Sequence, residues 1–385
     1  MKIMLRLIYR EFGLFWQNKV LVILFFIMSL VLAAVLGFVY KKGKVTGLTI
    51  LVIDKDHSPS SARLIDMLSE HQTLHIQNAS FETVGIDRLL LEKKATAAVV
   101  IPYRFEESLL RDQDPEVNCY LNMSNTLKAN LARAAIQQCT GTMNAGIQTA
   151  FLEEKGVPHS IAVQGYEAFH HNVFLQYNRA GNYFLFLWPG LILGTLQQLL
   201  LLATAVGFSQ EYANNNFNKN ELLKYTRSPV VLIVAKIFPY LCMSFWIIGG
   251  DYLLSVYFKM PPPSHPWVLL FSAILFVTGV CMLGTLFSII FPAPLKTTQS
   301  LMSLASPALT ISGLTWPAER VPVVLSAIAD ILPLKPFLKA SRLIWIDGAS
   351  FQQVLPELKH QLLLVTAFSL LSVLLLRKKI NKVTS

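Results

Sequence analysis

Long apolar runs separated by short polar ones organise most of the chain. Val20–Tyr40, Leu185–Phe208, Val230–Phe258, Trp267–Phe291 and Gln361–Leu376 carry almost no charge. A helix of about 20 apolar residues crosses a hydrocarbon core of about 30 Å. A further apolar segment, Ser300–Leu314, is short for a crossing and leads into TWPAERVP and a stretch of prolines and mixed charges. Broken segments are tolerated at membrane depth only where protein buries them or water reaches them. The pattern predicts an α-helical integral membrane protein with about six transmembrane helices and a re-entrant outer hairpin over residues 306–345.

Residues 41–180 depart from this rhythm. GLTILVID, TLHIQNA, ATAAVVIP and PEVNCYLN read as strands, and the pieces between them read as helices. Ser58-Pro59 supplies a cap and a first-turn proline, and Asn125–Lys155 is a long helix. SIAVQGYEAF adds one more expected strand. Such alternation predicts an inserted α/β domain. Asp54, Asp56 and His57 fall in a strand-to-helix turn, where they cap rather than catalyse, and no nucleophile, base and oxyanion grouping emerges.

Residues 1–19 place Lys2, Arg6 and Arg10 four apart, with Ile3, Leu7, Leu14 and Phe15 around the other side, as in an amphipathic surface helix. Composition agrees with a membrane protein, since 53% of the chain is hydrophobic and only 15% charged. Of 33 basic and 23 acidic residues, 14 and 15 lie between Lys41 and Arg179, which leaves 19 and 8 for the rest. Basic residues at span ends point to cytoplasmic flanks, so both termini and the loop 209–229 are expected in the cytoplasm and residues 41–180 outside it. The charge is read as topology, with no nucleic-acid partner. Four cysteines are too few for a disulfide framework, although Cys119 and Cys139 share the extracytoplasmic segment.

Ser209–Pro229 is short, polar and held between two spans. Its positions Glu211, Leu222, Leu223, Thr226, Ser228 and Pro229, followed by Ile233 and Lys236, resemble the coupling loop of ABC-2 type transporter permeases. Where that family has a charged run, this chain has EYANNNFN. Asn220 is a cap for a short amphipathic helix there. Ser306, Pro307, Ile311, Ser312, Gly313, Pro317 and Pro322 resemble a second signature of the same family, and Leu332–Pro336 the segment beyond it. The extracytoplasmic domain resembles that of one permease subgroup through Val52, Asp54, Asp56 and Ser58, then Ala97–Leu109, and at re-entry Tyr177, Asn178, Tyr183, Phe184, Pro189 and Gly190.

The resemblance implies the permease subunit of an ATP-driven exporter in a bacterial inner membrane. Catalysis and cofactor binding are not expected in this chain, which has no phosphate-cradling GxxxxGK[ST]. ATP and magnesium would be held by a separate ATP-binding subunit, docked on Glu211, Glu221, Leu222, Leu223, Lys224, Thr226, Arg227, Ser228 and Pro229. Further expected partners are a second permease subunit, identical or a sister, membrane lipid and a periplasmic adaptor protein. Thr195, Gln197, Gln198 and Asp251 are candidates for lining a path, and few intramembrane charges favour hydrophobic or amphipathic cargo. The competing reading is a membrane-anchored ligand sensor or a secondary transporter. The latter calls for internal repeats and paired mid-membrane charges, and the sequence has neither.

Overall fold

First-turn prolines, caps and left-handed residues cut the apolar runs into elements. The computed structural model describes residues 2–78, 85–111, 113–165, 178, 181–218 and 222–384. The chain divides into two units, Lys44–Phe174 and the remainder, Met1–Gly43 with Leu175–Ser385. Helix α1 (Lys2–Gln17) ends at Asn18, whose side chain caps the following α2 (Lys19–Tyr40), the first span, with a π-helical turn at Leu24–Met28. α1 buries Leu7, Ile8 and Phe15 and leaves Ile3 and Leu14 exposed. Its apolar residues therefore serve two faces, and only one is used within the bundle.

In the inserted unit, β1 (Leu48–Asp54), α3 (Pro59–Glu70), β2 (Leu74–Asn78), α4 (Ile86–Glu92), β3 (Ala97–Ile101), α5 (Phe105–Leu110), β4 (Asn118–Leu121) and α6 (Thr126–Glu154) follow in order. The strand order is β2-β1-β3-β4, with β1 parallel to both neighbours and β4 antiparallel to β3. β1 and β3 are central and almost wholly buried, which is why they read as continuous apolar runs. One face packs Ile50, Val52 and Val99 against Leu64 and Leu68 of α3 and Ala132 and Ile136 of α6. Asp54 caps as expected: its carboxylate accepts from the Asp56 and His57 amides and from the Ser61 hydroxyl, and Ser58 and Ser61 form a reciprocal capping box. The expected strand in SIAVQGYEAF is a helix over its described part, α7 (His159–Gly165). The Pro158 carbonyl accepts from the Ile161 and Ala162 amides and starts the turn. Cys119 is exposed, Cys139 is buried, and both are free thiols.

The stems of this insertion meet in the bundle, where the Gly43 carbonyl accepts from the Tyr183 amide at 2.7 Å. Gly43 is left-handed (φ 66°) and lies against the Asn182 side chain, so a side chain there would be both strained and crowded. The second span, α8 (Tyr183–Ala213), runs past Ser209, the expected loop boundary, and stops where Asn215 turns left-handed (φ 56°). A single turn, α9 (Leu222–Tyr225), precedes α10 (Pro229–Tyr257), and α11 (Pro266–Ile290) follows the proline turn. Pro229 and Pro266 both occupy first-turn positions, where the missing amide costs no hydrogen bond.

Ser300–Leu314 is not one helix. α12 (Pro294–Ala305) ends before Pro307, α13 (Ala308–Ile311) is one turn, and Gly313 is left-handed at φ 84°. Twelve residues of α12 reach only about 18 Å. Then come α14 (Val323–Ile331), α15 (Leu334–Trp345) and α16 (Phe351–Thr384), the last much longer than the apolar Gln361–Leu376 because its polar ends stay helical. Five described helices are long and apolar enough to cross a membrane: α2, α8, α10, α11 and α16. The chain is an integral membrane protein built mainly of helices, with a small mixed sheet.

Candidate functional site

Four charged side chains from three elements converge beside the end of α8. Arg10 on α1 grips Glu211 in a fork, Nη1 to Oε1 at 2.8 Å and Nη2 to Oε2 at 3.2 Å, and also donates to Glu11 at 2.8 Å. Lys236 on α10 donates to both Glu11 oxygens at 3.1 Å and to Glu211 Oε1 at 3.0 Å. Two cations and two carboxylates make a neutral, closed ring. Burial opposes the Arg10 charge, yet Glu211 and Glu11 outweigh it and raise the guanidinium above its ordinary value. The ring borders a cavity of about 90 Å³ that Asn18 and Gln210 also line. Phe15 packs edge-on to Phe25 and Tyr240 just beneath, so α1 is fixed to both neighbouring spans by rings as well as charge.

This geometry corrects the expected orientation of the loop. Glu211 was expected to face a partner, but it is helical, 4% exposed and wholly engaged by Arg10 and Lys236. Leu222 and Leu223 were expected on a docking face; they are 1% and 4% exposed and belong to the apolar core of the bundle with Phe208 and Phe217. The amphipathic turn therefore points its apolar side inward. Lys224 and Arg227 are the exposed members of the set. Thr226 Oγ1 accepts from the Ser228 amide and orients the entry of Pro229. Glu221 and Asn220 lie outside the described residues. On the neighbouring side, Lys379 of α16 donates to the Ile289 carbonyl and covers the Tyr212 ring at 4.2 Å, and Ser288 Oγ accepts from the Phe208 and Ser209 amides.

The second set of expected residues gathers around the helix break. Ser306 and Pro307 separate α12 from α13, and Gln198 Nε2 of α8 donates to the Ala305 carbonyl that the break leaves free. Ser312 donates to the Leu309 carbonyl, and the Gly313 and Leu314 carbonyls accept from Arg342 of α15. Gly190 and Gly194, one turn apart on α8, make room for Leu314 and Leu309; a methyl group at either would overlap those side chains. Pro317 and Pro322 flank a 3₁₀ turn at Ala318–Arg320. Of the re-entry residues, Asn178 bonds both ways with Asn182, and Tyr177 lies outside the described residues.

Of the four path candidates, Asp251 and Thr195 border one small space between α2, α8 and α10, and the Thr195 hydroxyl bonds to its own helix at Leu191. Gln197 is fully buried, with neither amide atom hydrogen-bonded among the described residues.

The sequence model of the ABC-2 family transporter proteins matches residues 19–376. The chain belongs to that family. The match takes in four of the five long helices described, the inserted unit and α16 as far as residue 376, and leaves α1 outside. As an ABC-2 type permease, it is a membrane transport component and not itself the catalytic one, and the family in general works with an ATP-binding partner. No curated protein matches the chain. Of the half of the charge ring outside the match, Arg10 was read only as part of the basic face of α1 and Glu11 was not singled out; the signal for their role was a Glu interrupting that basic face.

Proposed function

We propose that this permease is the membrane subunit of an ATP-driven exporter, which moves hydrophobic or amphipathic cargo out across a bacterial inner membrane. A separate ATP-binding subunit docks at the end of the bundle formed by α1 and the 214–228 loop. The observation that carries this reading is the charge ring. A push on α1 or on the loop meets no soft joint, because Arg10, Glu11, Glu211 and Lys236 tie α1 to the end of α8 and the start of α10. The exposed cations Lys224 and Arg227 offer the docking contacts, and the buried Leu222 and Leu223 anchor the turn beneath them. The other end supplies the movable part: α12 to α15 are short, broken at Pro307 and Gly313, and form a re-entrant hairpin that completes the sixth crossing only in part. One bundle of this size encloses half a path, so a second permease, identical or a sister, completes it.

The test is co-purification of the ATP-binding subunit with tagged permease from its native membrane, with ATPase activity measured in nanodiscs. Lys224→Glu with Arg227→Glu is expected to cut both motor recovery and stimulated ATPase activity, while Arg88→Glu on the inserted unit changes neither. Equal recovery for the two variants would remove the docking role of the loop.

A further inference from the structure

The bundle holds an apolar cavity of about 100 Å³ bordered by α8, α10, α11 and α15, and one carboxylate enters it. Asp251 is 8% exposed, and its Oδ1 has no hydrogen-bond partner among the described residues. Burying a carboxylate without a partner is among the costliest arrangements a helix bundle can hold. Its position is nonetheless tightly specified. The neighbouring Gly250 lies against Leu30 of α2 so closely that a methyl group there would overlap it, which fixes the register of α10 on α2.

The walls are aromatic. Phe186, Trp188, Tyr252, Phe337 and Trp345 line the cavity. Among the described residues the cation in its wall is Arg342, which already uses such a surface: its guanidinium lies 4.5 Å from the Phe186 ring centre. That guanidinium also donates to the Gly313 and Leu314 carbonyls and has Asp347 nearby, so its charge is satisfied without Asp251. What remains is one carboxyl group without a counter-charge in an aromatic chamber. Ring faces and a carboxylate together are the chemistry that recognises an alkylated ammonium, whose spread charge is cheaply desolvated. The volume suits a compact ammonium head group, and a ring or an apolar tail would have to extend beyond the cavity.

We propose that the Asp251 cavity is a binding site for the head group of lipophilic monovalent organic ammonium ions, which makes such cations a cargo class of this permease. The inference rests on the exporter reading for the direction of movement but not for binding. A matched set of probes separates charge from shape: phenyltrimethylammonium, its neutral carbon isostere tert-butylbenzene, and benzenesulfonate. Binding to the full-length permease in nanodiscs is measured by ligand-observed saturation-transfer NMR, with empty nanodiscs as blank. Phenyltrimethylammonium is expected to bind at least about tenfold more tightly than either comparator. Asp251→Asn should abolish that preference and leave tert-butylbenzene unchanged, while Asp251→Glu retains it.

Equal binding of the three probes overturns the proposal. So does a cation preference that survives in Asp251→Asn, which would belong to the aromatic walls alone. Should Asp251→Asn fail to fold, the three-probe comparison on the unaltered permease still decides. No step needs the ATP-binding subunit, so failure here and failure of the exporter reading appear in separate experiments.

Discussion

Lys236 makes three of the contacts in the charge ring and has 7% of its side chain exposed, between Glu11 and Glu211 at 11% and 5%. Lys236→Met would leave two carboxylates facing one guanidinium in a buried site, a change that costs about 3–5 kcal/mol when a buried pair is broken. Thermal unfolding of the purified permease should register that loss. Adding Glu211→Gln should recover part of it, because the second substitution removes the stranded charge. A pair of losses that simply add would show that the four groups do not act together. Half of this ring was legible in the sequence: Glu211 and Lys236 both belong to the loop pattern that resembles the family's. Their facing partners were not, because Arg10 is 201 residues from Glu211 and Glu11 is 225 from Lys236, and no local spacing reports such a meeting. The orientation of Glu211 was misjudged because the family resemblance places it in a loop, whereas α8 continues to Ala213 with Asn215 as its left-handed stop, which leaves Glu211 inside the helix.

At the scale of elements, strands with two covered faces and helices with capping residues were readable, and short apolar runs were not. IAV in α7 fits a strand as well as a helix, and only Pro158 just before it favours the turn. The inserted unit has its own core, so residues 44–174 expressed alone are expected to be soluble, with mixed α/β circular dichroism. Leu64→Ala in that fragment should cost about 2–5 kcal/mol in urea unfolding, since Leu64 is 1% exposed between sheet and helices. A cost under about 0.5 kcal/mol, the range of surface substitutions, would contradict the packing described for α3. The fragment should also lose stability in acid. Hydrogen bonds from the Ser58 side chain and the Glu106 amide hold the Asp56 carboxyl below the usual carboxylate range. A group with a depressed folded value contributes stability above its unfolded value, near about pH 4, and loses it as the pH falls through the folded one. Asp56→Asn should therefore flatten the fall in urea midpoint below about pH 4, and an unchanged acid limb would assign the dependence to other carboxylates.

For the whole molecule, the proposed mechanism depends on which side of the membrane each end of the bundle faces. The 41–179 segment is nearly neutral in balance, while the excess of basic residues lies at the span ends, and under the positive-inside rule α1, the 214–228 loop and the end of α16 are expected in the cytoplasm. Two thiol positions read this directly. Cys119 sits on the edge strand β4 and is exposed, so in spheroplasts a membrane-impermeant maleimide should label it without permeabilisation. Surrounding protein pushes its thiol up from the ordinary value, so the reaction is run above about pH 8, where more thiolate is present. Asn215→Cys, at the exposed stop of α8, should react only after permeabilisation; the variant is made with Cys119 and Cys242 replaced, since Cys139 and Cys281 are buried. The reverse pattern would invert the bundle. The docking end would then lie away from cytoplasmic ATP, and no ATP-binding subunit could push on α1 or on the turn that Leu222 and Leu223 anchor. Labelling of both positions from outside would instead deny α8 its crossing, since Cys119 precedes that helix and Asn215 follows it. Only outside labelling of Cys119 together with protection of Asn215→Cys keeps the charge ring where a cytoplasmic motor can use it.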